Sequence, residues 1–169
     1  MLKRPLFTLA ALSLALLGFG GCKEKPPQPS RPPQPAPEGN VISLSLSGGH
    51  MTRDSFYSYY LREKDSQVLF DANCWVDGRE ITLESATATQ ENMEELRALC
   101  ETYNLARRQQ TYRKPDPNAR PFLRDAPMRR LSVRWENDAQ LSAGIDFGNL
   151  DDLLVFFEEL AIEISKGAR

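Results

Sequence analysis

The chain has 169 residues, with 21 Lys and Arg against 23 Asp and Glu and a formal net charge of −2. A slightly acidic balance excludes a strongly basic nucleic-acid binder, so nucleic acid is not an expected partner. The length suits one domain of ordinary size once any N-terminal targeting segment is set aside.

The N-terminus has the parts of a bacterial signal peptide. Lys3 and Arg4 form the positive region, and Leu6 to Leu17 form the apolar region. An uncleaved membrane anchor is an alternative, although Leu6 to Gly21 is shorter than the roughly 20 apolar residues that a spanning helix needs. We therefore predict a signal peptide over residues 1–21.

The residues Gly20-Gly21-Cys22 resemble the lipobox of bacterial lipoproteins, although Phe19 stands where that family prefers leucine. The resemblance implies a lipid on Cys22, which would become the first mature residue. It also implies that the protein is held on the cell membrane or the outer membrane, with its domain outside the cytoplasm. Ordinary secretion, with Cys22 as a structural thiol, is the other alternative.

A proline-rich segment follows Cys22. Lys23 to Glu38 contains seven prolines and no large apolar residue, a composition that cannot bury enough surface to fold. We predict an extended tether over residues 22–39, reaching on the order of 50 Å at about 3.1 Å per residue. A ligand for an aromatic groove is the alternative interpretation of such a segment.

Residues 40–169 are predicted to form one globular domain that begins with four strands. Val41 to Ser47 alternates apolar residues with serine, which is typical of a half-buried strand. The strands Ser55 to Arg62 and Val68 to Val76 follow, and Asp77-Gly78 then predicts a tight turn into a fourth strand. Four consecutive strands imply an antiparallel meander.

The second half of the domain mixes helices and strands. Thr89 can cap a helix over about Gln90 to Tyr103, and Asn149 can cap a last helix with a broad apolar stripe. Between them, Leu131 to Trp135 and Leu141 to Ile145 alternate like the two arms of a hairpin. The predicted fold is α+β, with the order ββββαββα and two helices packed on an antiparallel sheet.

The domain is similar to short, uncharacterised lipoproteins of anaerobic bacteria over about Val41 to Ile164. The residues that carry this resemblance are Gly48-Gly49, Ser55 to Tyr60, Met93 to Leu96 and the Leu131 to Gly144 hairpin. That family implies a fold but no activity, cofactor or site residue.

No catalytic or metal-binding motif stands out. His50 is the only histidine, and its surroundings do not match a nucleophile elbow or a zinc motif. Asp146, Asp151 and Asp152 could bind calcium, but carboxylates at a helix start also stabilise the helix dipole. We therefore expect no metal, no cofactor and no catalytic residue.

Two cysteines lie within the predicted domain. Cys74 and Cys100 fall on the apolar faces of a strand and a helix, and a disulfide between them is plausible in an exported protein. The alternative is a pair of buried reduced thiols that pack as small apolar side chains. The sequence leaves both open.

The segment Asn104 to Arg134 carries nine cations and two acids, a local charge of +7. An internal partner would be the acidic last helix. An external partner would be an anionic envelope polymer, a lipid headgroup or an acidic protein. The candidate anion-binding residues are Arg107, Arg108, Arg113 and Lys114.

Two classes of function follow. The first is a non-enzymatic binding module on the envelope, which the tether and the basic segment favour. The second is an envelope hydrolase that uses carboxylates such as Asp71 and Glu84, which the sequence permits without pointing to it.

Overall fold

The structure is a computed structural model that describes residues 35–49, 55–112, 128–144 and 150–167. All of these belong to the compact unit Pro33–Arg169. The predicted signal peptide, Cys22 and most of the tether lie outside the described residues, as do the following other predicted positions: His50, Arg113, Lys114, Ile145, Asp146 and Asn149.

Six antiparallel strands form one sheet in the order β4-β3-β2-β1-β5-β6. The meander β1 to β4 is confirmed, and β5 adds to the free side of β1. The strands are β1 Val41–Gly49, β2 Tyr57–Lys64, β3 Gln67–Val76, β4 Arg79–Ala88, β5 Met128–Trp135 and β6 Gln140–Ala143.

The tight turns of the meander arise from residues that tolerate the left-handed conformation. Asp65 and Ser66 have φ angles of 52° and 63° between β2 and β3, while Asp77 and Gly78 have 51° and 74° between β3 and β4. Two consecutive residues with positive φ match the right-handed twist of the flanking strands. The predicted Asp77-Gly78 turn and the antiparallel meander are therefore confirmed.

Within the described residues, three helices accompany the sheet: α1 Gln90–Thr102, α2 Leu105–Thr111 and α3 Asp151–Gly167. The α+β class is confirmed, and the order of these described elements is ββββααββα. The additional helix α2 lies in a segment predicted to be a loop. Its seven residues bury only Leu105, so the sequence offers no helical periodicity there.

Helix α1 begins as the sequence predicts. The Thr89 hydroxyl accepts a hydrogen bond from the Asn92 amide at 3.2 Å, and the Asn92 side chain accepts one from the Thr89 amide at 2.9 Å. This reciprocal pair satisfies two amides that the first turn leaves without helical partners. The predicted cap at Thr89 is confirmed.

The core lies on one face of the sheet, under the helices. Phe157 of α3 stacks on Tyr59 of β2 and Phe70 of β3, with ring centroids 5.3 and 6.0 Å apart. All three rings are buried. Helix α3 is therefore fixed to the sheet by apolar contacts at the centre of the domain.

The chain enters the domain beside the β5–β6 turn. Asn137 donates a side-chain hydrogen bond to the carbonyl of Ala36 at 2.7 Å, and the Glu136 amide donates to the carbonyl of Asn40 at 3.0 Å. Gln109 of α2 also donates to the carbonyl of Pro35. Residues 35–39, which we assigned to the tether, thus contact the folded domain.

Candidate functional site

The two domain cysteines are free, buried thiols in this structure. Cys74 pairs with Tyr57, which pairs in turn with Gly48 near the end of β1. Cys100 lines a cavity with Val41, the first residue of β1. Val41, near Cys100, and Gly48, near Cys74, are seven residues apart on β1, which corresponds to about 23 Å of strand. A disulfide needs its two Cα atoms within about 7 Å. This structure therefore favours the alternative of two reduced thiols.

Cys74 lies in a cluster of titratable groups beneath α3. The Tyr59 hydroxyl is buried without a regular hydrogen-bond partner, and its polar neighbour is the Cys74 thiol, a weak hydrogen-bonding group. Burial raises the pKa of both groups. It also raises the pKa of Glu158, with a further increase from the nearby Asp77. All of these shifts favour the uncharged forms, as expected in a core.

Cys100 gives a pH-dependent prediction. Burial raises the pKa of its thiol to about 12, from an ordinary value of 9.0. Because the folded-state pKa is raised, this thiol stabilises the fold fully below pH 9 and loses that contribution as the pH rises towards 12. We expect a decrease in the free energy of unfolding of about 1.4 kcal/mol per pH unit in that window.

Urea unfolding of the full chain at several pH values between 8 and 11.5, with reductant, measures this slope. The variant Cys100→Ala should show a clearly smaller slope, leaving the contributions of groups such as Tyr59. An unchanged slope in Cys100→Ala would contradict the assignment to this thiol.

The described arginines of the basic segment lie on α2 and on both faces of β5, towards one edge of the sheet. Helix α2 packs beside the edge strand β6, and β6 pairs with β5. We call this group the arginine edge, and its members are Arg107, Arg108, Arg129, Arg130 and Arg134. Two of the four sequence-predicted anion-binding residues, Arg107 and Arg108, therefore lie on a helix that contacts β6, the neighbour of β5.

The predicted internal partner, the acidic helix α3, approaches this edge near Arg129. Arg129, Glu158 and Asp151 all affect the pKa of Tyr57, which burial raises and Arg129 lowers. Arg134 instead pairs with Asp138, with its Nε atom 3.1 Å from the carboxylate. Arg107 and Arg130 form no ion pair with any residue that the structure describes. The internal partner thus accounts for only part of the edge.

Helix α2 also protects the end of the sheet. Gln109 donates to the carbonyl of Gln140 at 3.3 Å, and the Gly144 amide donates to the Tyr112 hydroxyl at 3.2 Å. These are backbone groups of β6 and of the residue that follows it. Edge strands expose such groups to pairing with other chains, and side-chain partners reduce that exposure.

The other face of the sheet carries no helix in the described part of the chain. At its centre, β1 presents serines that are flanked by residues of its neighbours β2 and β5, among them two arginines of β5. We call Ser43, Ser45 and Ser47 with these flanking residues the serine channel. Across β5, β1 and β2, the register gives three rows: Arg134–Ser43–Arg62, Ser132–Ser45–Tyr60 and Arg130–Ser47–Ser58.

Side-chain contacts agree with this register. The Tyr60 phenol contributes to raising the pKa of Arg134, after the larger effects of Asp138, which places both side chains on one face across β1. The Arg62 guanidinium lies 4.9 Å from the centre of the Tyr60 ring. Tyr60 is 37 % exposed, so part of its ring is open to solvent.

Asp71, one of the two carboxylates considered for hydrolysis, is held in a polar network on the same face. Its side chain pairs with Arg62 and accepts the Ser85 amide at 2.7 Å. Arg62 also donates to the Ser85 hydroxyl at 3.1 Å. Glu84 is exposed beside this network. Both oxygens of Asp71 therefore have structural partners.

The serine channel could not be located from the sequence alone. The alternation of β1 marks its serines as polar positions, but the pairing of β1 with β5 joins segments about 85 residues apart. Only that pairing brings Arg130 and Arg134 beside the serines.

In the part of the chain that the structure describes, no helix is long and apolar enough to cross a membrane. Within the same residues, no group of His, Cys, Asp or Glu side chains could hold a metal ion. Comparisons of the chain with protein-family models, with curated proteins and with solved structures found no match.

Proposed function

We propose that this protein is an envelope lipoprotein, anchored by lipid on Cys22, whose domain is a non-enzymatic module that binds an anionic partner. The observation that supports anion binding most strongly is the arginine edge. Five arginines lie on neighbouring elements, and two of them have no ion pair among the described residues. Exposed guanidinium groups with unused donors bind carboxylates and phosphates well.

The existing ion pair at this edge is easily exchanged. The side chains of Arg134 and Asp138 are 49 % and 72 % exposed, and exposed pairs contribute only about 0–1 kcal/mol. A ligand anion can therefore replace Asp138 at little cost. Like charges on adjacent elements also attract an anionic polymer over about 8 Å at physiological ionic strength.

The alternative of a carboxylate hydrolase has less support. A general acid or base must be free to reach the substrate, whereas Asp71 is engaged by Arg62 and by the Ser85 amide. We therefore assign Asp71 to the architecture of the sheet.

Charge reversal at the arginine edge tests anion binding. The full chain in neutral-lipid nanodiscs is expected to bind polygalacturonate or phosphatidylglycerol vesicles at low salt, and to release them as salt rises. Arg107→Glu/Arg108→Glu should weaken binding by about tenfold or more, the equivalent of about 1.4 kcal/mol. Reversal of Arg113 and Lys114 as well should weaken it further.

The matched control is Lys64→Glu/Arg79→Glu, which changes the total charge equally at the ends of β2 and β4, away from the arginine edge. It should retain most of the binding. The free energy of unfolding, measured with urea, should change by no more than about 0.5 kcal/mol for each exposed substitution. Loss of stability with full retention of binding in Arg107→Glu/Arg108→Glu would instead give these arginines an architectural role.

A further inference from the structure

We propose that the serine channel binds an extended anionic polysaccharide, which lies along β1 with its charged groups on the arginines of β5. The inference rests on the anion-binding function proposed above, and adds the surface and the chemical class of the ligand.

The shape of the channel suits a single extended chain. Its floor runs from Ser43 to Ser47, a length of about 13 Å, and β2 and β5 lie about 10 Å apart on its two sides. Arg130 and Arg134 lie opposite Ser47 and Ser43, at the two ends of the floor. Successive charges of a polyanion can thus meet guanidinium groups while the uncharged part of the chain lies between them.

The floor of the channel is chemically matched to sugar. Serine hydroxyls donate and accept hydrogen bonds, as sugar hydroxyls do. Ser45 and Ser47 are half-buried and offer their hydroxyls to such a ligand, whereas Ser43 is only 8 % exposed.

Tyr60 supplies an apolar platform beside this floor. It lies opposite Ser45, and the Arg62 guanidinium lies over one face of its ring. The exposed part of a tyrosine ring packs well against the C–H groups of a pyranose while its hydroxyl remains in water. A polyanion without sugar rings would gain nothing from this contact.

Three substitutions test the channel in the full chain held in neutral-lipid nanodiscs. Arg130→Glu removes a cation, Tyr60→Ala removes the platform, and Ser45→Gln fills the floor without changing charge. Each should weaken polygalacturonate binding by about tenfold. The controls are Arg79→Glu, with the same charge change on β4, and Tyr60→Phe, which keeps the ring. Both should bind within about twofold of the unmodified chain.

Two further probes separate the ligand classes. Polyglutamate has carboxylates but no sugar ring, and should bind at least tenfold more weakly and be insensitive to Tyr60→Ala. Dextran has the rings without the charges and should not bind. Equal binding of polyglutamate, with the same sensitivity to Tyr60→Ala, would overturn the assignment to polysaccharide.

The remaining outcomes distinguish this inference from the proposed function. If Arg107→Glu/Arg108→Glu abolishes polygalacturonate binding while the three channel variants bind normally, anion binding stands and the channel is wrong. Binding to phosphatidylglycerol vesicles without binding to polygalacturonate would also overturn the channel alone. Binding to neither probe would overturn both proposals.

Discussion

A chain carrying Cys22→Ala is expected to lose its lipid and its stable membrane attachment. Diacylglycerol supplies two acyl chains at about 0.8 kcal/mol per buried CH₂, and two such chains give lasting attachment without a spanning helix. Growth with an alkyne-labelled fatty acid should label the unmodified chain and leave Cys22→Ala unlabelled. In detergent phase partition, the unmodified chain should enter the detergent phase, whereas Cys22→Ala protein that has lost its signal peptide should enter the aqueous phase.

The label provides the decisive readout, because an uncleaved precursor could stay in the membrane through its apolar segment. Cys100→Ala serves as the matched control, since it removes a thiol that the structure places in the buried face of α1. That control should be labelled normally. Fatty-acid labelling of Cys22→Ala equal to that of the control would rule out Cys22 as the lipid site.

Replacing Phe157 by alanine is expected to destabilise the domain more than any other single substitution considered. Its side chain is fully buried and stacks on Tyr59 and Phe70, while the neighbouring Phe156 meets it edge-on with centroids 5.2 Å apart. Truncating such a ring leaves a cavity and costs about 3–5 kcal/mol. Urea unfolding followed by circular dichroism measures this loss.

The same helix offers a control for that experiment. Val155 lies on α3, two residues before Phe157, and is 49 % exposed, so Val155→Ala should change stability by no more than about 0.5 kcal/mol. Phe157→Leu keeps part of the buried volume and should fall between the two. Equal effects of Val155→Ala and Phe157→Ala would mean that α3 is not fixed to the sheet through the stacked rings.

The cysteines show what the spacing of apolar residues can and cannot predict. It places Cys74 and Cys100 on apolar faces, and both are buried. It cannot give the position of α1 along the strands, because that depends on how the helix packs. In this structure α1 holds Cys100 near the start of β1, where Arg97 donates to the Val41 carbonyl at 3.1 Å.

The basic segment shows the same limit for charge. The sequence identifies the excess of arginine, and the structure distributes the described members over α2 and both faces of β5. Arg129 lies near acidic residues of α3, Arg134 pairs with Asp138, and Arg107 and Arg130 form no ion pair with described residues. Among the described residues, the acidic helix α3 thus lies near Arg129 and forms no ion pair with Arg107 or Arg130.

The sequence by itself determined the local features of this protein: the alternation of the strands, the Asp77-Gly78 turn, the Thr89 cap and the apolar stripe of α3. These follow from interactions among residues close in the chain, which depend on side-chain type and spacing. Tertiary structure alone decided the pairing of β1 with β5, the short helix α2 against β6, and the arginines beside the serines. Those features arise from contacts between distant segments, where burial of the whole sheet outweighs local preference.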